Sequence, residues 1–250
     1  MIIIIRYYFY LGGNNIFKYL IKDIKMNKCI INISYNKKLF RIILSFFIME
    51  KKHNKENIEI GLDEAGRGPL IGNVYAGAVI WSDELNPPQG LITDSKKLSS
   101  KKRKESIKWI KENVKYYAVG FATNEEIDSI NILEATKLAM QRAIDQIPIK
   151  TEYLLIDGVG WDKKFPQYQV TSVVKGDSKY YSIAAASILA KESHDDHILE
   201  LCKNDSTLVD KYCLDSNMGY ASQKHIDGIK KYGHTNYHRK SFKLKCLSNK

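Results

Sequence analysis

The chain has 250 residues, 44% apolar and 27% charged, with a formal net charge of +11; this is ordinary for a soluble protein and long enough for one sizeable core. Residues 1–48 hold eight Lys/Arg against one acid, so the other 202 residues carry 31 basic against 27 acidic side chains, and any phosphate-binding surface there is a local patch rather than a global field. The four cysteines form no C-x-x-C pair, which excludes a secreted disulfide framework and points to a reduced, intracellular, cytoplasmic setting.

Residues 1–48 contain thirteen Ile and no Ala, Val, Glu, Gln, Thr, Pro, His or Trp. Basic residues recur throughout, and no small-residue cleavage site follows an apolar stretch, so the segment is not a secretory signal. Charges break every apolar run well short of the roughly 18 residues that a membrane span needs. The bias toward residues with A/T-rich codons suggests translated upstream sequence, without stable structure, ahead of a functional start at Met49. A membrane-associating or organelle-targeting leader is the rival reading.

From Met49 onward a polar lead-in reaches Ile58, Ile60 and Leu62, which alternate with Glu59 and Gly61 and predict a strand ending at Asp63-Glu64. Gly66, Gly68 and Pro69 then break regular structure. Val74 to Trp81 predicts a second strand, and Asn86 to Gly90 a loop. Ser100 is placed to cap a helix with Ile107, Ile110 and Val114 on one side and a lysine-rich face on the other. Tyr116 to Phe121 predicts a third strand, and Thr123 with Glu126 has capping-box spacing ahead of a helix carrying Ile132, Ala135, Ala139 and Ala143. Tyr153 to Ile156 fits a buried strand ending at Asp157. Tyr168 to Val174 predicts another strand, Ser178 to about Asn204 a long Ala-rich helix, and His225 to Lys231 a short one. Strands cluster early and alternate with helices late, which predicts a mixed, partly parallel sheet flanked by helices.

Three acids stand at strand ends, where α/β sheets build sites: Asp63, Glu64 and Asp157. Side chains alternate along a strand, so Asp63 and Glu64 converge only if the strand breaks there. A buried carboxylate cluster needs a cation, and carboxylate oxygens favour Mg²⁺ or Mn²⁺. The bland alternative is that these acids cap helices or pair with lysines. In the long helix Ser187, Lys191 and Asp195 share one face, and Asp196 lies about 100° around it. The loop Gly66-Arg67-Gly68 imitates a dinucleotide fingerprint, but Pro69 and a following strand give it the wrong context. Its glycines equally suit a plain turn or close backbone approach to a sugar or phosphate. The His194/His197 and His234/His238 pairs lack the further ligands that zinc requires.

Five stretches together resemble type 2 ribonuclease H: Gly61-Leu-Asp63-Glu64-Ala-Gly-Arg-Gly68, Asp94-Ser-Lys-Lys-Leu98, Ile156-Asp157-Gly158, Lys175-Gly-Asp177 followed by Ala184 to Lys191 and Asp195, and Gly219-Tyr220 with His225 and His238-Arg239-Lys-Ser-Phe242. They run in order from about residue 58 to 243. The resemblance implies a ribonuclease H-like fold over 49–204 and a C-terminal helical, substrate-contacting extension over 205–250. It implies a metal site of Asp63, Glu64, Asp157 and Asp195, and two-metal-ion hydrolysis with Mg²⁺ or Mn²⁺. It implies that the backbone of Gly66, Arg67 and Gly68 reads the ribose 2′-OH and that Tyr220 senses the nucleotide 3′ of it. Lys96, Lys97, Lys175 and Lys191 become candidate phosphate contacts, with Ser187 beside them. The implied substrates are RNA–DNA hybrids and duplex DNA with embedded ribonucleotides, cut on the 5′ side to leave 3′-OH and 5′-phosphate ends.

The chain departs from the pattern at His194, where the family usually has Arg, and at Asp196, a second acid that competes with Asp195 for the fourth ligand position. No glutamine-aromatic motif for a sliding clamp follows Phe242, and a monomer is expected. The competing readings are another nuclease of the same fold and a non-catalytic hybrid-binding module.

Overall fold

The computed structural model describes residues 49–243, and the leader expected over 1–48 lies outside them. Five strands, β1 (Glu59–Ala65), β2 (Val74–Ile80), β3 (Tyr116–Ala122), β4 (Tyr153–Asp157) and β5 (Gln169–Val173), form one sheet in the order β3-β2-β1-β4-β5. The first three are antiparallel neighbours, while β4 runs parallel to both β1 and β5. The expected mixed sheet is therefore present, with the parallel part holding the site. Leu62 pairs with Ile156, so Asp63 and Asp157 stand at the same level of adjacent strands.

Helices cover both faces. Alternation along β1 sends Ile60 and Leu62 to one side, where they pack with Val74, Ala76, Ala78, Leu154 and Ile156 against Ala135, Ala139, Met140 and Ala143 of α2 (Asn124–Asp145). The other face takes α3 (Tyr181–Asn204), whose Ala184, Ala185, Ala186 and Ile188 pack with Val79 and with Ile110 of α1 (Ser100–Asn113). The small residues have a steric purpose. A Cβ at Gly77 would run into the Ala186 backbone, so only glycine lets α3 lie this close to the sheet. Thr123 and Glu126 form the expected capping box of α2, and Arg142 fastens Glu126 with bonds of 2.6 and 2.8 Å.

Several boundaries differ from the sequence reading. β1 does not break at the acids but continues through Ala65, because β2 still pairs with Glu64 and Ala65. The cap of α1 is Ser99, not Ser100; its hydroxyl accepts the Lys102 N–H. α2 begins at Asn124 and kinks at Asn131, whose φ of 68° interrupts it and whose side chain caps the following turn through Leu133 and Glu134. α3 starts at Tyr181, after a short 3-10 turn at Gly176–Ser178. Two helices lie where the sequence showed only a polar, aromatic mixture: α4 (Thr207–Tyr212) and α5 (Leu214–Asn217). With α6 (Gln223–Tyr232) they bury Leu208, Tyr212, Leu214 and Ile229 against Ile198 of α3 and against Leu70 and Ile71 of the loop after β1. No described helix is long and apolar enough to cross a membrane.

Candidate active site

Asp63 is buried on the face covered by α3, and its Oδ1 accepts the Glu64 N–H at 2.7 Å. Burial drives its carboxyl well above the usual carboxylate range, and the charges of Glu64 and Asp157 push it further, against a hydrogen bond from Ser187. Burial also raises Glu64, with Asp157 adding to the effect while Arg67 and Lys96 oppose it. Glu64 Oε1 meets Arg67 Nη1 at 3.1 Å, but its other oxygen, Oε2, is buried with no hydrogen-bond partner. Asp157 Oδ1 accepts the Gly176 N–H at 2.6 Å. That donor is presented by Lys175, which turns the chain at φ 55° and leaves its own side chain exposed. Asp177, next along this turn, is raised to about 6 by burial and by Asp94 and Asp157.

These acids do not form a finished cage: among the described residues no three His, Cys, Asp or Glu side chains stand ready to hold a metal ion. The chemistry of the set nonetheless fits a hard cation. Asp63, Glu64 and Asp157 repel one another in a buried place, and Glu64 Oε2 points at nothing.

Asp195 differs. It is buried, whereas Asp196 is exposed, so the helix phase turns the first of the two inward. Its carboxylate already has company: Lys191 Nζ at 2.7 Å, His194 Nδ1 at 3.0 Å and Arg103 Nη2 at 3.4 Å. Burial alone would raise it, but the bonds from His194 and Lys191 outweigh burial and hold it below its ordinary value. The four expected acids thus divide: Asp63 and Glu64 are raised in the neighbourhood of Asp157, whereas Asp195 is compensated by Lys191 and Arg103. Arg103 also binds the buried Glu192 at 2.6 Å. This role was invisible in sequence, because Arg103 sits in what reads as a solvated lysine run.

The expected substrate-contacting residues surround the acids. Ser187 Oγ lies 2.9 Å from Ser95 Oγ and bonds Asp63. Exposed Lys96 is close enough to act on Glu64 and Asp177. Lys191 Nζ stands 5.4 Å from the centre of the Tyr220 ring, which is 42% exposed and rests against Gly68. The loop from Gly66 to Asn73 is organised from below by Arg239, which is 1% exposed. Its guanidinium donates to the carbonyls of Gly66 (2.6 Å), Arg67 (3.2 Å), Pro69 (2.7 Å), Gly72 (2.9 Å) and Asn73 (3.1 Å). Among the described residues no peptide bond is cis. With the Gly66 and Arg67 carbonyls turned inward, the N–H groups of Arg67 and Gly68 therefore face the opposite way, toward solvent. His225 and His238 lie buried behind Tyr220. The family pattern had marked Arg239, His225 and His238 without giving them roles.

A mixed sheet in this strand order, with carboxylates gathered on its central parallel pair, defines a nuclease of the ribonuclease H type. The sequence profile described as Ribonuclease HII matches residues 60–245. The chain is 48% identical over 191 residues to a Ribonuclease HII of Phocaeicola vulgatus, covering 76% of this chain and 92% of that one. It is 47% identical over 197 residues to one of Staphylococcus saprophyticus, covering 78% and 73%. Among solved structures, the ribonuclease HII of Archaeoglobus fulgidus, determined in complex with PCNA, superposes with a TM-score of 0.60 at 26% identity, covering 75% of this chain and 96% of that one. The chain belongs to the ribonuclease HII family and is a ribonuclease H.

Proposed function

We propose that this chain hydrolyses the RNA strand of RNA–DNA hybrids and cuts duplex DNA on the 5′ side of single embedded ribonucleotides, leaving 3′-OH and 5′-phosphate ends, in the cytoplasm. The observation that carries this reading is the pressing together of Asp63, Glu64 and Asp157 beside a loop whose Arg67 and Gly68 N–H groups face outward. Mg²⁺ or Mn²⁺ held by Asp63, Glu64, Asp157 and Asp195 would supply two-metal activation of water and stabilisation of the departing 3′ oxygen.

The side chains of the protein do the rest. Outward N–H groups at Arg67 and Gly68 donate to the ribose 2′-OH, which is the atom that separates RNA from DNA. Lys96 and Lys191 neutralise phosphates on either side of the acids, with Lys175 on the adjoining turn. Ser187 holds Asp63 in place. Tyr220, next to Gly68, meets the sugar that follows the ribonucleotide and favours a deoxyribose there.

The test is cleavage of a duplex containing one ribonucleotide, with and without chelator, using wild type and Asp157→Asn. The variant is expected to bind the duplex as wild type does and to cut it at least about a thousandfold more slowly, since a charge that holds the cations is gone. Normal cutting by the variant overturns the assignment of the site. Tyr220→Ala is expected to lose more activity on the lone ribonucleotide than on a continuous hybrid.

A further inference from the structure

Behind Tyr220 the hydrogen bonds permit only one arrangement of protons. The Thr235 N–H can only donate, and it meets His238 Nδ1 at 2.9 Å, so that nitrogen is bare and the His238 proton sits on Nε2. His238 Nε2 lies 3.1 Å from His225 Nε2, which must therefore accept. The remaining His225 proton is on Nδ1, and it donates to the Tyr220 carbonyl at 3.0 Å. Both rings are completely buried, and burial holds each of them below the ordinary histidine range. The relay of two neutral rings thus runs from the 235 turn to the backbone of Tyr220.

The same turn is stitched to the glycine loop. Gly219 accepts from the Leu70 N–H at 2.8 Å, Tyr237 accepts from the Gly72 N–H at 2.9 Å, and Leu70 accepts from the Arg239 N–H at 2.8 Å. Three segments far apart in sequence therefore meet at the spot where the Tyr220 ring touches Gly68.

We propose that His225 and His238 are positioning residues, which as a buried pair locked in one tautomeric arrangement hold the Gly219–Tyr220 turn against Gly68 and so set how strictly the enzyme requires a ribonucleotide-to-deoxyribonucleotide step. The discrimination half of this statement rests on the function proposed for Tyr220. The positional half does not.

Two isosteric amides separate the relay from mere packing. In His225→Asn the amide nitrogen falls near Nδ1 and keeps the bond to Tyr220. In His225→Gln the amide oxygen takes the place of Nε2, accepts the His238 proton, and leaves the Tyr220 carbonyl without its ring donor. Both are compared with wild type in the full chain, by amide hydrogen exchange over residues 68–73 and 219–222 and by the ratio of cutting rates on a lone ribonucleotide and a continuous hybrid. His225→Gln is expected to speed exchange and to lower the ratio by about fivefold to tenfold, the equivalent of one buried hydrogen bond. His225→Asn is expected to stay closer to wild type on both. Equal behaviour of the two amides, or unchanged exchange in His225→Gln, overturns the proposal. Tyr220→Ala is run alongside: if it leaves the ratio unchanged, the reading of Tyr220 fails, and exchange alone decides whether the histidines position the turn.

Discussion

Replacing Arg239 by Met removes a charge whose burial is already costly. Burial pushes the guanidinium down to about 10, which corresponds to a penalty of about 3 kcal/mol on the charged form. Against that stand five bonds to carbonyls, using every N–H the group has, and a contact with the Phe242 ring at 5.1 Å. Charge-assisted bonds contribute roughly 1.5–3 kcal/mol each when counted singly, and less together. The bonds win, and the variant leaves inward-facing carbonyls with no donor. The expected net loss is about 3–5 kcal/mol, the range for removing one member of a buried charged assembly. At about 2–4 °C per kcal/mol for a domain of this size, the melting temperature falls by about 10 °C. Cutting of a lone ribonucleotide falls about a hundredfold in the folded fraction, because the Arg67 and Gly68 N–H groups drift by about an ångström. Arg239→Lys lands between, since one ammonium does not span carbonyls spread from Gly66 to Asn73. Urea denaturation with cleavage assays on the same samples measures both effects. A loss below about 1 kcal/mol with wild-type cutting would refute the view that Arg239 shapes the loop.

Acid should destabilise the fold through His238. Its folded pKa, about 3, lies below its ordinary value of 6.5, so the unfolded chain takes up the proton first. The stability contributed is complete above 6.5 and is lost as pH falls toward 3, by about 5 kcal/mol at most. Asp177, raised to about 6, has the opposite sign: its contribution is lost as pH rises through 6. The readout is therefore the difference between wild type and His238→Leu in urea titrations at pH 7 and pH 4. The variant should lose less stability over that interval, and an equal loss rejects the argument. The Arg103–Glu192 pair should give a strongly coupled double-mutant cycle. Arg103→Met alone strands Glu192, which is 6% exposed, and costs about 3–5 kcal/mol, whereas Arg103→Met with Glu192→Met costs much less. Additive losses would show that the two side chains do not sense one another.

What was legible in the sequence depended on the range of the force involved. The strands and the capping box at Thr123 follow from alternation and local hydrogen bonding, which a short window contains. The placing of Asp157 at a strand end was equally visible, because an acid closing an apolar run is a local contrast. The sequence reading erred where tertiary pairing overrode a local signal. Gly66 and Gly68 suggested a break at Asp63-Glu64, yet β2 pairs with β1 as far as Ala65. It erred again over 205–217, where α4 and α5 are too short to show a helical period and are held by packing on Ile198, Leu70 and Ile71. Arg103 escaped notice because a lysine-rich run looks solvated, and only the crossing of α1 and α3 brings its guanidinium to Glu192 and Asp195. The separate state of Asp195 was beyond sequence for a related reason. Spacing puts Lys191 on the same helix face, but whether it points to solvent or to the carboxylate depends on what lies opposite.

The mild charge of residues 49–250 fits the division of labour in the proposed function. Phosphates look alike in RNA and DNA, so lysines that neutralise them raise affinity for either and distinguish neither. Telling the two apart requires a neutral donor at a fixed height above one hydroxyl, and a flexible loop of glycines supplies the donor without the height. Here the height comes from the inner side, where a buried guanidinium gathers five carbonyls and, by the planarity of trans peptides, turns the amides of Arg67 and Gly68 outward. On the function proposed above, the positive charge most important for selectivity is one that solvent scarcely reaches, since Arg239 is 1% exposed. This arrangement also explains why a C-terminal segment must close over the loop. Arg239 lies more than 160 residues from the carbonyls it holds, and the helices of residues 207–232 bury Leu70 and Ile71 in the core that brings it there.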